Sequence, residues 1–579
     1  SELVVGPVRI GRGCLVGMHS VVGYDAVMED GARLEDLSLL PSRARIPKGE
    51  TWSGSPACRA KDPKASPAPP PATSPLRRVL TAALYAVLIC LFPLVLAIPI
   101  VPGVALLTIL DPLEHPLWYL LAAPLVGAVF VVLLMTEVVL LKWLLVGRIA
   151  AGTHPVHGGF YLRLWVVDQL LQASLDYAGQ LHATLYLAPW YRALGAKLGK
   201  FVELSTASTI APDLISIGPE STIADEASLG EARVERGWIT LEPTRVGRRA
   251  FVGNSGVLPA GTTLGDESLV GVLSIAPEPN RAAQEGATWL GSPPIQLPRR
   301  EPSAAFPVER TFCPSRKLRL ARGTFELLRV TLPPAAFILV TAGVITAVLR
   351  LATTLGLGVA LLLAPMLYAF ACAAVLLGVA AAKWVIMGRY RPFARPLWSP
   401  FIWRLELVNA LYEFLATPLA LEPLQGTPFL SWYLRLLGSR IGRRAYLHTT
   451  GFLEWDLVEI GDRVALNEDC VMQTHLFEDR VLKASWLRVG DDCVVGTASV
   501  VLYDSQMEPG AQLDALSLLM KGETLPAGTA WVGSPARSAV PVPPAVPEHH
   551  AAVPEHHVTP ARHVAPARHE EQSTHDSVA

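Results

Sequence analysis

Residues 10–52 read IGRGCLVGMHSVVGYDAVMEDGARLEDLSLLPSRARIPKGETW, with apolar side chains at Ile10, Val16, Val22, Met28, Leu34, Leu40, Ile46 and Trp52, every step being six residues. Glycine follows the first three, at Gly11, Gly17 and Gly23. A helix repeats every ~3.6 residues and a half-buried strand every two, so neither holds this spacing. Short parallel strands on the flat faces of a β-helix do, with one inward anchor per face. The rhythm returns at Ile217, Ile223, Leu229, Val246, Val252, Leu258, Leu264 and Val270. It returns again at Ile460, Leu466, Met472, Val489, Val495, Val501, Met507, Leu513, Leu519, Leu525 and Trp531. Each later series holds one 17-residue interval, Leu229 to Val246 and Met472 to Val489. That is nearly one turn of three six-residue faces, so a loop is expected to leave the coil there and rejoin it near register.

The three series are copies of one another. WSGSPA (52–57), WLGSPP (289–294) and WVGSPA (531–536) close them. KWLLVGR (142–148) matches KWVIMGR (383–389), and residues 191–218 run in register with 434–461 at an offset of 243. The unit is a membrane hairpin, an amphipathic helical neck and a β-helix. Residues 1–57 correspond only to the last part of such a unit, so the chain is expected to be the C-terminal part of a longer protein.

Among the 579 residues, 51% are apolar and 17% charged, and the mean hydropathy is +0.37. Those values point to membrane segments. The formal charge of -1 provides no field for nucleic acid, and no nucleic-acid partner is expected. Seven cysteines without a CxxC pair suit reduced thiols rather than disulfides or zinc. Val79–Leu110, Leu117–Thr136, Val330–Leu349 and Leu351–Ala382 are free of charge, and each is long enough to span a bilayer. Pro93, Pro99 and Pro102 are expected to kink or end the first helix. Lys and Arg flank both hairpins, whereas the first turn holds Asp111 and Glu114 and the second only Arg350. By the positive-inside bias, the soluble parts lie on the cytoplasmic side of the inner membrane.

The six-residue period resembles the hexapeptide repeat of left-handed β-helix acyltransferases, and handedness is implied by that resemblance alone. The layout as a whole resembles the C-terminal half of membrane-bound nonribosomal peptide synthetases of the epsilon-poly-lysine synthetase type. The fold expected is a multidomain membrane protein, with tandem left-handed parallel β-helix (hexapeptide repeat) domains alternating with transmembrane α-helical hairpins. Its parts are the end of a first β-helix domain (1–60), a linker (61–78), a transmembrane hairpin (79–148), a neck (149–200) and a second β-helix domain (201–300). A linker (301–324), a second hairpin (325–389), a neck (390–438), a third β-helix domain (439–540) and a disordered His/Pro/Ala-rich tail (541–579) follow. The resemblance implies an acyltransferase that makes amide (isopeptide) bonds between basic amino acids, as in antibiotic biosynthesis. Its substrate is an aminoacyl thioester carried on phosphopantetheine. The adenylation and carrier domains, and the use of ATP, belong to a part of the parent outside this sequence. The three β-helices are expected to pack as an intramolecular pseudo-trimer, with a homodimer as a further arrangement.

His475, in CVMQTHLFEDR (470–480), stands at the start of the second excursion. Neutral imidazole is matched to taking a proton from an attacking amine, which makes His475 the expected general base. Asn467 and Asp469, or Glu478 and Asp479, are candidates to fix its tautomer. Carboxylates near it can bind the ammonium groups of the acceptor. His448, Glu454 and Asp456 in AYLHTTGFLEWDLVEIG are the weaker candidates, and Asp456 equally suits capping a coil turn. The second copy has Ala232 where the third has His475, while Asp213 matches Asp456 and Glu203 sits opposite Tyr446. His19 aligns with Ala498 and is expected to face solvent. His154 and His157 lack a convergent carboxylate or Cys, so no metal is expected.

Two other functions compete with the synthetase reading. One is a non-catalytic membrane scaffold that binds a carrier domain. The other is a CoA-dependent acetyltransferase acting on a sugar or amine.

Overall fold

In the computed structural model, the described residues are 4–61, 67–68, 74–110, 116–205, 208–298 and 306–539. The expected tail, and Asp111 and Glu114 of the first hairpin turn, lie outside them. Ile460, Leu466 and Met472 lie in three successive strands that belong to three different sheets. Their exposures are 2%, 0% and 1%, so all three side chains enter one interior. Each pairs in parallel with the equivalent residue of the next coil: Ile460 with Val489, Leu466 with Val495, and Met472 with Val501. Those continue to Met507, Leu513 and Leu519, a step of 18 residues. The second repeat stacks Ile217 on Val246 and Leu264, Ile223 on Val252 and Val270, and Leu229 on Leu258. The first stacks Val16, Leu34 and Trp52, with Met28 on Ile46 and Val22 on Leu40.

Glycine after an anchor is a packing demand. A Cβ on Gly461 would sit 2.7 Å from the backbone nitrogen of Asp491 in the next coil. Ile10 and Val16 depart from the inward-anchor expectation at 53% and 40% exposure, because no coil packs below them among the described residues.

The two 17-residue intervals are antiparallel hairpins. Arg233–Glu235 pairs with Trp238–Leu241, and His475–Glu478 with Val481–Ala484. A strand preceding each neck, Gly152–Pro155 or Phe393–Pro396, adds to the second strand of its hairpin. The excursion thus fastens the coil to the neck.

Among the described residues, four helices are long and apolar enough to cross a membrane: Pro75–Ile109, Leu117–Leu145, Arg316–Leu355 and Leu357–Ile386. The protein is a multi-pass membrane protein with six-residue-period parallel β structure. The first span breaks into a 3-10 turn at Ile98–Ile100, which contains Pro99, as its ring and missing N–H dictate. The second hairpin corrects two expectations. Arg350 is not in the turn: the helix runs on to Leu355, and Gly356, at φ +89°, makes the reversal. The same helix starts at Arg316, inside the expected linker, where the Ser315 hydroxyl accepts from the Leu318 N–H.

The matched KW motifs explain how helix and coil are joined. Lys383 Nζ lies 2.6 Å from Asp456, and Lys142 Nζ lies 2.8 Å from Asp213. Each lysine side chain is fully buried and each aspartate 4% exposed. Asp456 also accepts from the Tyr390 N–H, and Asp213 from the Ile149 N–H. The adjoining Trp384 and Trp143 indoles donate to carbonyls of Leu436 and Ala193.

The three Gly-Ser-Pro closures meet. The Ser55 N–H donates to the Ser292 carbonyl at 2.8 Å, and the Ser292 N–H to the Ser534 carbonyl at 3.1 Å. Beside them one apolar cluster draws on all three repeats, including Leu37 and Leu39, Val257 and Leu273, and Val500 and Leu518.

Removing one partner of a buried ion pair strands a charge and costs roughly 3–5 kcal/mol. Asp456→Asn and Asp213→Asn should each lower the melting temperature of the detergent-solubilised protein by several degrees. Unchanged melting of both variants would show that the pairs hold nothing in place.

Candidate active site

Strand Val471–Gln473 ends the third face of its coil, and the chain turns outward at Thr474 into the hairpin that His475 begins. Glu454, one coil earlier, precedes the short turn Trp455–Leu457 with φ +40° and is fully buried. Its Oε2 lies 2.8 Å from His475 Nδ1 and 2.5 Å from the Thr474 hydroxyl. A carboxylate oxygen accepts, so Nδ1 carries the hydrogen and Nε2 is left with its lone pair. Burial alone would push the imidazole pKa down. The charge and hydrogen bond of Glu454, with Asp225 and Glu413 beyond it, outweigh that and raise it above 6.5.

His475 lines a cleft between the second and third repeats. Asp225 and Asn254 come from the second, Gln473 and Arg480 from the third, and Glu406 and Arg322 from helices beside them. Asn254 Nδ2 and Gln473 Oε1 approach to 3.4 Å across the junction. Burial brings Glu406 to about 7 against the pull of Arg329 and Arg322. His182, in the first neck, is pushed down to about 4 by burial and stays neutral near pH 7.

The structure sends the other sequence candidates elsewhere. Glu454 orients His475, whereas Asn467 Nδ2 donates to the Val495 carbonyl inside the coil. Asp469 is exposed at a coil corner and Asp479 sits in the hairpin turn, both with positive φ. Glu478 is occupied: burial resists its ionisation, but Lys483 and Lys521 bind it and bring its pKa down to about 2. Asp456 is consumed by Lys383 and cannot receive an ammonium group. His448 lies against Tyr446, and His154 against Phe160. Among the described residues no group of three or more His, Cys, Asp or Glu is placed to hold a metal ion.

His19 is exposed, as expected, but it also has a partner. Its Nε2 reaches Ser228 Oγ of the second repeat at 2.9 Å, and Ser228 leads through Ser208 to Glu231. Asp225, Glu406 and Glu413 lie in another repeat or in a neck, where no local motif marked them, and Arg480 ends the stretch 470–480 without a signal that singled it out.

A model of the hexapeptide repeat of succinyl-transferase matches residues 7–35 and 243–271. The chain is 39% identical over 553 residues, 92% of its length, to the delta-poly-L-ornithine synthetase of Acinetobacter baumannii (strain AB307-0294). It spans 41% of that relative's length. Among solved structures, a maltose O-acetyltransferase from Clostridium difficile 630 aligns at 20% identity with a TM-score of 0.17, covering 19% of this chain and 73% of that one. The serine acetyltransferase of Neisseria gonorrhoeae aligns at 12% identity with a TM-score of 0.16, covering 39% and 85%. Likenesses this slight have no bearing on the fold.

The dyad has a pH signature. Because the folded pKa of His475 is raised, its pairing with Glu454 contributes fully below the unfolded value of ~6.5. That contribution is lost as the pH climbs through the folded value. The melting-temperature gap between the protein and Glu454→Gln should therefore narrow from pH 6 to pH 9. A gap that stays constant or widens contradicts the pairing.

Proposed function

We propose that the chain is the amide-forming acyltransferase part of a membrane-bound peptide synthetase. On this reading it joins a carrier-borne thioester of a basic amino acid to an amine of the growing homopolymer. The observation that carries the reading is the His475–Glu454 dyad at 2.8 Å, opening on an acidic cleft between two repeats. The name of the ornithine-polymer relative supports a diamino acid as monomer. Tandem left-handed β-helices, an internal three-fold packing of the repeats and a cytoplasmic placement of the soluble parts belong to the same proposal.

The chemistry follows from the dyad. The acceptor amine nitrogen attacks the thioester carbonyl carbon while His475 Nε2 takes its proton. The C–S bond then breaks, the thiolate leaves with the proton returned by the imidazolium, and the products are an amide and a thiol. Glu454 holds the imidazole in the tautomer that leaves Nε2 free and stabilises the imidazolium formed midway. The carboxyls of Asp225 and Glu406 favour a cationic acceptor over a neutral sugar. No bond to an enzyme atom is required.

His475→Ala should lower the rate of amide formation from an ornithinyl thioester on the carrier domain by roughly 100-fold or more while the protein still folds. The same protein should not transfer acetyl from acetyl-CoA. Full amide synthesis by a folded His475→Ala variant removes the dyad from the reaction.

A further inference from the structure

One cation in the cleft has no part in the dyad. Arg480, in the hairpin turn, is 3% exposed. Its Nη2 donates to the backbone carbonyls of Phe201 and Ser221 in the second repeat, which fixes the guanidinium. Its Nε and Nη1 are buried without a hydrogen-bond partner. The neighbouring carboxylates are already taken. Both oxygens of Glu203 accept from Arg322, at 2.9 and 3.0 Å, and Glu220 is bound by Arg249. Buried donors left unpaired are costly, and charged ones more so, which favours an anion at this point.

The kind of anion follows from the surroundings. Glu203, Asp225 and Glu406 line the same cleft, so a doubly charged phosphate meets repulsion there. A single carboxylate on a molecule that also brings ammonium groups does not. His475 opens the strand His475–Glu478, whose ends are roughly 10 Å apart at ordinary strand rise, and Arg480 lies two residues past its end. Both residues line the one cleft. An acceptor with a carboxylate at one end and an amine at the far end of an alkyl chain fits between them.

We infer that Arg480 binds the free α-carboxylate of a diamino acid acceptor and so aims its distal amine at His475. This rests on the amide-forming reading of the cleft. The charge that Arg480 reads exists only while the acceptor carboxyl is free. The residue therefore selects the acceptor of the first bond, before that carboxyl is tied up in an amide.

The test is calorimetric binding of L-ornithine and L-ornithinamide to the detergent-solubilised protein and its variants. The protein should bind the acid roughly ten-fold more tightly than the amide, as a charge-assisted hydrogen bond implies. Arg480→Gln should lose that preference while keeping its affinity for the amide, which also reports that it is folded. Arg480→Lys, which keeps the charge, should retain part of the preference. Equal affinities in the unaltered protein, binding of neither ligand, or a preference that survives Arg480→Gln overturns the inference. So does displacement of ornithine by inorganic phosphate at lower concentration than by acetate. His475→Ala should keep the carboxylate preference while losing amide synthesis, so the failure of either reading is seen separately.

Discussion

An apolar strip on the outside of a coil has to be covered, and here the three repeats cover one another. Leu37 and Leu39, Val257 and Leu273, and Val500 and Leu518 form a single buried cluster. The Ser55, Ser292 and Ser534 backbones hydrogen-bond in series beside it. The candidate site depends on this junction. His475 and Glu454 come from the third repeat, but Asp225 and Asn254, on the opposite wall, come from the second. Separated repeats would leave the dyad on an open surface, where water would screen the carboxylates that raise the His475 pKa.

The membrane helices are seated by a different device. The buried Lys142–Asp213 and Lys383–Asp456 pairs recur at equivalent places in two repeats, each beside a tryptophan that donates to a neck carbonyl. Desolvating both charges offsets much of their attraction, so such a pair contributes little net stability over apolar packing. Its effect lies in position. A helix that ends one turn early or late cannot bring its lysine to the aspartate, and a lone buried charge is heavily penalised. The helix exit is thereby registered against the first turns of the coil. The neck that carries Glu406 and Glu413 is fixed from both sides.

The six-residue rhythm made the coils legible because each anchor acts within its own face, and Gly461 shows why the next residue is constrained as well. The excursion was legible as a gap in the rhythm, though not as a hairpin, because its pairing partner Phe393–Pro396 lies some ninety residues earlier. His475 could be singled out by that gap. Its partner Glu454 could not be ranked, since 21 residues of separation reveal contact only once coil stacking is known. Asp456 illustrates the converse. A conspicuous carboxylate near the site in sequence proves to be spent on Lys383. Arg350 misled for a simple reason: one arginine does not stop a helix, and the glycine six residues later does.

Repetition within one chain permits what a symmetric homotrimer cannot have, namely unequal junctions. The second repeat carries Ala232 and Ala211 where the third carries His475 and Glu454, yet it supplies Asp225 to the third repeat's site. Its contribution is electrostatic rather than chemical. Burial raises Glu406 and the Glu454 carboxylate raises His475, so charge brought into the cleft shifts the ionisation of both. An arriving ammonium group favours the ionised carboxyls, and those in turn favour the imidazolium. Binding of a cationic acceptor and acceptance of its proton by His475 are thus driven by the same charges.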